Sequence, residues 1–278
     1  MLCSSVMPQN IIIKTTETSP RVVVPTVFVI KASKYFFDSM IMGWKEAKSG
    51  EFCLVDIRHQ NLQLFSHYVR KGYLDETDID SISRPGLSAE EEQEYVHGTL
   101  GYVRAGKDDI EFGPPDMLID RLLNAYLLGE YLQSPGFCNE IMDQITIHYR
   151  YFSDENDETA PLWNLELAFG GIRNSGLQRF VADVLNRALS EKTFRIAVQE
   201  GYLNDVVGEE MAAATLRDKD QKYGERIPWR RSQCTYHDHP SGTFNSPCHD
   251  PYSLNGREQA TAETPWDTYK EFGDANDW

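Results

Sequence analysis

Residues 118–131 carry two apolar rows at helical spacing. Leu118, Leu122 and Tyr126 form one row; Ile119, Leu123, Leu127 and Tyr131 form the other. Each row repeats every four residues, the spacing that stacks side chains on one helix face. Two adjacent rows make an apolar stripe too wide for a helix that touches a single neighbour, so this segment must sit deep in a core. Ser134-Pro135-Gly136 breaks the pattern, and a second helical pattern follows with Phe137, Ile141, Ile145 and His148 on one face. Two helices joined by so short a break predict an antiparallel helical hairpin.

The text before this pair alternates strand and helix. Residues 10–16 and 21–24 are β-branched, and Thr18-Ser19-Pro20 between them is turn chemistry, which predicts a β-hairpin. Pro25 and Thr26 suit a helix start. Val27, Phe28, Ile30 and the run from Tyr35 to Met40 continue at spacings of three and four. Residues 51–57 read as a short strand with Phe52, Leu54 and Ile57 as apolar positions. Leu62, Phe65, Tyr68 and Val69 define another helix. Residues 75–117 differ: twelve acidic residues stand against three basic ones, and Pro85, Pro114 and Pro115 interrupt. Ser88 and Glu91 fit a capping box for one short helix, and the rest is expected to be a solvated insertion.

Downstream, residues 154–161 read as an acidic linker. Leu177, Val181, Val184, Leu185 and Ala188 mark a helix. Residues 194–214 mark a further one, with Val198, Leu203, Val206 and Val207 as expected buried positions. After Leu216 the text is polar and rich in Pro, Gly, Ser and Asp. The expected organisation is therefore a first domain over 10–150 with its acidic insertion at about 75–117, a helical region over 160–216, and a mostly disordered tail over 217–278. The fold class is α+β, with a small sheet of about three strands packed by helices.

The order hairpin, helix, strand, helix, insertion, helical pair resembles a BTB/POZ domain. Ser33-Lys34-Tyr35-Phe36 is similar to the family's Ser-x-Tyr-Phe at the end of its first helix. Glu46-Ala47 to Asp56, then Leu62 to Gly72, is similar to the turn, strand and Phe-bearing helix that follow. Ala125-Tyr126, Leu128-Gly129, Leu132-Gln133 and Asn139 are similar to the closing helices, as found in fungal BTB proteins with a helical region and polar tail downstream. Two departures stand out. Val24-Pro25 replaces the family's His-Lys pair, and Tyr68-Val69-Arg70-Lys71-Gly72 replaces its Trp-Leu-Tyr-Thr-Gly. The resemblance implies an interaction module that acts as an adaptor, with a cullin ubiquitin ligase, a regulatory complex or a second BTB protein as partner. It assigns Ser33, Tyr35, Phe36, Phe65, Tyr126 and Leu132 structural rather than catalytic roles. Only residues 1–9, with Pro8 among them, precede the first strand, so a long exchanged strand is not expected. Weak self-association would rest on Met40, Ile41, Met42 and Trp44, a Met-rich and aromatic cluster suited to an adaptable interface. The competing expectation is that these four cover the sheet of their own domain.

The net charge of -16 repels nucleic-acid phosphates and anionic membranes, so neither is expected as a partner. No apolar stretch approaches the roughly 20 residues that span a bilayer, and the first ten residues lack the basic region of a secretion signal. The five cysteines are odd in number and dispersed, with Cys53 and Cys138 inside apolar patterns, which points to a reducing compartment, cytoplasm or nucleus. No phosphate-binding, dinucleotide, nucleophile-elbow or zinc-protease motif occurs, so no enzyme activity and no cofactor are expected. Carboxylate runs such as 90–94 read as solvated faces, and His59 and His67 as surface or half-buried histidines. One cluster stands above background: Cys234, His237, His239 and Cys248 lie close in sequence. Their donor types suit zinc, but their spacing is not that of a standard finger and little apolar text surrounds them. They make a metal-binding regulator or enzyme the alternative reading.

Overall fold

A computed structural model describes residues 7–16, 19–55, 57–83, 102–105, 110–113, 117–152, 160–161, 169, 175–199, 203, 205–219, 228 and 235–237. The fold is α+β, and the chain divides into two compact units. One contains the described residues up to 82 together with 127–140. The other contains 83–126 and 141–238. These limits differ from those expected of the text, because residues 83–126 and 141–150 group with the second unit.

In the first unit the hairpin forms as its β-branched text dictates. Strands β1 (Asn10–Lys14) and β2 (Val22–Pro25) are antiparallel, with Ile11 opposite Val24 and Ile13 opposite Val22. Those four side chains are buried on one face, while Val23 faces outward. Ser19 closes the turn, its hydroxyl accepting from the N–H groups of Thr15 and Thr16 at 2.9 Å each. Strand β3 (Glu51–Cys53) adds parallel to β1, giving the order β2-β1-β3. Gly50 precedes β3 with φ +71; a Cβ there would lie 3.3 Å from Pro8. Its carbonyl accepts from Ile12 N–H at 2.8 Å. A left-handed turn in such close packing suits glycine alone.

Three helices, α1 (Thr26–Ala32), α2 (Lys34–Met42) and α3 (Lys45–Ser49), connect the hairpin to β3. The sequence predicts one continuous helix over α1 and α2. The chain instead breaks at Ser33, whose backbone is extended (φ -143). The Ser33 hydroxyl accepts from Phe36 N–H and so caps α2. Helix α4 (His59–Lys71) buries Leu62, Phe65, Tyr68 and Val69 as their spacing requires. The core of this unit is aromatic. Phe36 meets Phe52 edge-on at 4.9 Å, and Phe65 meets Phe137 edge-on at 5.3 Å.

The stretch expected to be a solvated insertion contributes folded elements instead. Helix α5 (Glu76–Ser83) buries Asp78 and Ile79. Its first turn is closed reciprocally: Asp78 N–H donates to the Asp75 carboxylate at 3.0 Å, and Asp75 N–H to that of Asp78 at 3.1 Å. Strands β4 (Tyr102–Ala105) and β5 (Ile110–Gly113) pair antiparallel. β4 also pairs with β6 (Ala160–Pro161), which the text placed in a linker. Tyr102, Val103, Ile110 and Phe112 supply the strand preference that the surrounding charge obscured. Ser88 and Glu91 lie outside the described residues.

Helices α6 (Met117–Tyr131) and α7 (Pro135–Phe152) follow the two helical patterns closely. Gly129 on α6 lets α7 approach, since a Cβ there would meet Cys138 Sγ at 2.6 Å. In the second unit Leu122, Leu123, Tyr126, Ile141 and Ile145 are buried. Helices α8 (Gly176–Ala188), α9 (Glu191–Gln199) and α10 (Asp205–Lys219) complete it. α9 and α10 replace the single helix expected over 194–214. Val198 is exposed rather than buried, because the buried face of α9 runs through Thr193 and Ala197.

The expected tail is also amended. Tyr236 and His237 are buried in the second unit. Phe180 contacts both Tyr149 and Tyr236 edge-on at 5.1 Å. The Tyr236 hydroxyl donates to Asp183 Oδ2 at 2.9 Å, and Arg179 donates to the His237 carbonyl at 3.2 Å. Residues 238–278 lie outside the described part. Among the described residues, no helix is long and apolar enough to cross a membrane.

Candidate interaction surface

The six residues singled out by resemblance occupy structural positions. Ser33, Phe36, Phe65 and Leu132 are buried in the first unit, and Tyr35 is half-buried there. Tyr126 is fully buried in the second unit, where its hydroxyl accepts from Leu177 N–H at 3.4 Å.

The cluster at the end of α2 does not cover its own sheet. Ile41 is 57% exposed, Met42 69% and Trp44 39%, while Met40 is half-buried. The reason is the face that α2 buries, which runs through Phe36 and Ser39 and leaves its last turn outside the core. Tyr131, at 54% exposure, extends this surface. Tyr35 joins the parts, its ring 5.8 Å from Trp44 and 5.5 Å from Tyr131. Partial burial pushes the Tyr35 phenol up to about 12, and the neighbouring Tyr131 phenol and Glu46 add to the shift. Tyr35 is therefore protonated at neutral pH, and its half-buried ring packs against two exposed aromatic rings.

A second surface feature lies between β2 and α4. It is an open groove of about 460 Å³. Arg21 and Val23 form one wall; His59, Gln63, Ser66, His67 and Arg70 form the other. These α4 positions are the polar side of the helix whose opposite side buries Leu62, Phe65 and Val69. Arg70 donates to the Val23 carbonyl and lies 3.4 Å from the Ser66 hydroxyl. His67 Nδ1 stands 2.6 Å from Asp78 Oδ1, though not in line for a hydrogen bond. His59 Nδ1 is buried without a hydrogen-bond partner among the described residues. By sequence alone His59 and His67 are two isolated histidines. The spacing 59, 63, 66, 67, 70 was the signal that they share one helix face with an arginine.

The Cys/His cluster is not assembled among the described residues. Cys234, His239 and Cys248 lie outside them, and His237 Nε2 is engaged with Asp143 Oδ1 at 2.8 Å. No group of three His, Cys, Asp or Glu side chains suited to a metal ion occurs among the described residues. Cys138 is buried as its apolar context suggests, but Cys53 is exposed, because the buried face of β3 is that of Phe52. Comparison with protein-family models, with curated proteins and with solved structures finds no match to this chain.

Proposed function

We propose that the chain is a non-enzymatic protein-interaction module of BTB/POZ type, acting as an adaptor for a cullin ubiquitin ligase or a regulatory complex in the cytoplasm or nucleus. The observation that carries this reading is the exposed apolar surface of Ile41, Met42, Trp44 and Tyr131, braced by the half-buried Tyr35. Single exposed apolar side chains are ordinary on a protein surface; four that include two oriented aromatic rings and a flexible Met are the composition of interface centres. The element order of the first unit, and the buried positions of Ser33, Phe36, Phe65 and Leu132, support the family assignment.

The test uses the full chain and its Ile41→Glu/Trp44→Glu variant, with folding checked by circular dichroism. A purified cullin is one candidate partner and a second copy of the chain is the other. The reading expects the wild-type chain to bind the cullin, or to self-associate near ~10 μM as small interfaces do, and the folded variant to lose that binding. Equal behaviour of the two chains toward both partners sinks it.

A further inference from the structure

From the groove between β2 and α4 we infer that the chain binds an extended acidic peptide of a protein partner. The inference is independent of the family assignment and involves other residues than the apolar surface.

The groove differs in charge from the rest of the chain. The chain as a whole is strongly acidic, with 43 Asp and Glu against 27 Lys and Arg. Yet the groove places Arg21 and Arg70 together with His59 and His67, and among the described residues the carboxylate nearest these groups is that of Asp78, 2.6 Å from His67 Nδ1 and away from both guanidiniums. Neither guanidinium has a carboxylate partner among the described residues, and a guanidinium stays charged at any working pH. Arg70 is held rather than neutralised, because the group it grips is the neutral carbonyl of Val23. His59 adds a buried ring nitrogen that no group of the described protein satisfies, and an orphaned buried polar atom is costly unless a ligand or water completes it.

Shape decides among anions. From His59 to Arg70 the wall of α4 runs about 16 Å, at 1.5 Å per residue. A single phosphate or carboxylate would leave most of that length empty. An extended peptide of five residues covers about 17 Å, and its alternate side chains point to one side about 7 Å apart. Acidic side chains at alternate positions would thus meet Arg70 and the hydrogen-bond donors of Gln63 and the histidines along the wall, with Arg21 opposite. A nucleic-acid strand offers similar spacing, but it carries a charge at every unit and continues beyond the groove into the field of a chain with net charge -16, whereas a short peptide confines a few charges to the groove itself.

The mode of binding also follows. β2 is an edge strand, and such edges invite strand addition. Here Arg70 occupies the outward Val23 carbonyl, so a full main-chain ladder is blocked. Recognition falls to side chains: charge-assisted bonds from Arg21 and Arg70, with Gln63 and the histidines as further donors.

The experiment is a fluorescence-polarisation titration of the full chain against a fluorescein-labelled pentapeptide, Glu-Thr-Glu-Thr-Glu, with blocked ends. The same peptide with glutamines for glutamates is the first control, and inorganic phosphate is the competitor. The acidic peptide should bind at least ~10-fold more tightly than its glutamine counterpart. Arg21→Glu, whose side chain makes no hydrogen bond or ion pair among the described residues, should reduce that affinity by ~10-fold or more with an unchanged thermal melt, while Arg21→Lys keeps most of it. Arg195→Glu, an exposed arginine of the second unit, should change nothing. Equal binding of both peptides, no saturable binding at all, or equal loss in Arg21→Glu and Arg195→Glu overturns the inference. Displacement by phosphate at concentrations matching the peptide would overturn the peptide reading in favour of a small-anion site.

Discussion

The Ser33 hydroxyl donates to the Leu132 carbonyl at 2.5 Å across ninety-nine positions of sequence. The contact is reciprocated close by: Ser134, two residues after Leu132, donates its hydroxyl to the carbonyl of Ala32, one residue before Ser33, also at 2.5 Å. Tyr35 N–H donates to the same Leu132 carbonyl, and Lys34 N–H to that of Gln133. The break between α1 and α2 is thus sewn to the turn between α6 and α7. Each of these groups would otherwise be an unsatisfied end of a buried helix.

Removing one side of this stitch should therefore cost more than an average surface change. Ser33→Ala deletes both a buried donor and the cap on Phe36 N–H, and is expected to destabilise the chain by about 2 kcal/mol. Ser134→Ala should cost about 1–2 kcal/mol, by loss of the Ala32 contact. Urea unfolding of both single variants and the double variant measures the coupling. Strict additivity at a few tenths of a kcal/mol each would show that the stitch carries no weight.

The core makes a sharper contrast. Phe36 is fully buried against Phe52 and Phe65, so Phe36→Ala should cost about 3–5 kcal/mol. Leu127 was expected to be as buried, since it lies in one of the two apolar rows of α6. It is only half-buried, whereas Leu128 beside it is 1% exposed. Leu128→Ala should accordingly cost more than Leu127→Ala, by 1 kcal/mol or more on the usual area scale. The reverse order in denaturant melts would misplace the helix face.

The difference shows what the sequence could reveal. Periodicity located α4, α6, α7 and α8 because apolar spacing reports on burial directly. It could not find the break at Ser33, where a serine inside an apolar helical run gains its meaning from a partner ninety-nine residues away. Strands β4 and β5 escaped for another reason: short strand text within a strongly acidic stretch looks like a solvated loop. The groove was half legible, because the polar side of α4 can be read from spacing but its opposite wall, Arg21 on the hairpin, cannot.

Tyr35 provides a pH test. Its phenol in the folded chain titrates at about 12, above the usual value near 10. Between those values the unfolded chain releases a proton that the folded chain keeps. Whatever stability this shift confers is therefore complete below pH ~10 and is lost as pH rises toward 12. Unfolding free energies measured from pH 9 to 12 should fall with pH, and fall less steeply in Tyr35→Phe. Absorbance at the phenolate band should show one fewer late-ionising tyrosine in the variant than in wild type. Identical pH slopes for the two chains would place the late phenol elsewhere.

Residues 235–237 lie in an apolar-poor, polar stretch that gives no reason to expect them in a core. Tyr236 is 1% exposed, stacked edge-on against Phe180, with its hydroxyl on a nearly buried Asp183 carboxylate. Removing it leaves both a cavity and a carboxylate without that partner, so Tyr236→Ala should cost about 3–5 kcal/mol, and Tyr236→Phe about 1–3 kcal/mol. The approach is close from the other side too. A Cβ on Gly176 would lie 1.8 Å from the Tyr236 carbonyl oxygen, so Gly176→Ala must displace this segment. Truncation after residue 216 should then lower the thermal midpoint by several degrees, since a loss of a few kcal/mol shifts a chain of this size by that much. Truncation after 238 keeps Tyr236 and His237 and should retain most of that midpoint. If the two truncated chains melt together at the wild-type temperature, the anchoring of Tyr236 is refuted. If Gly176→Ala and Tyr236→Ala are each destabilising but no more so in combination, the two residues act through the same contact.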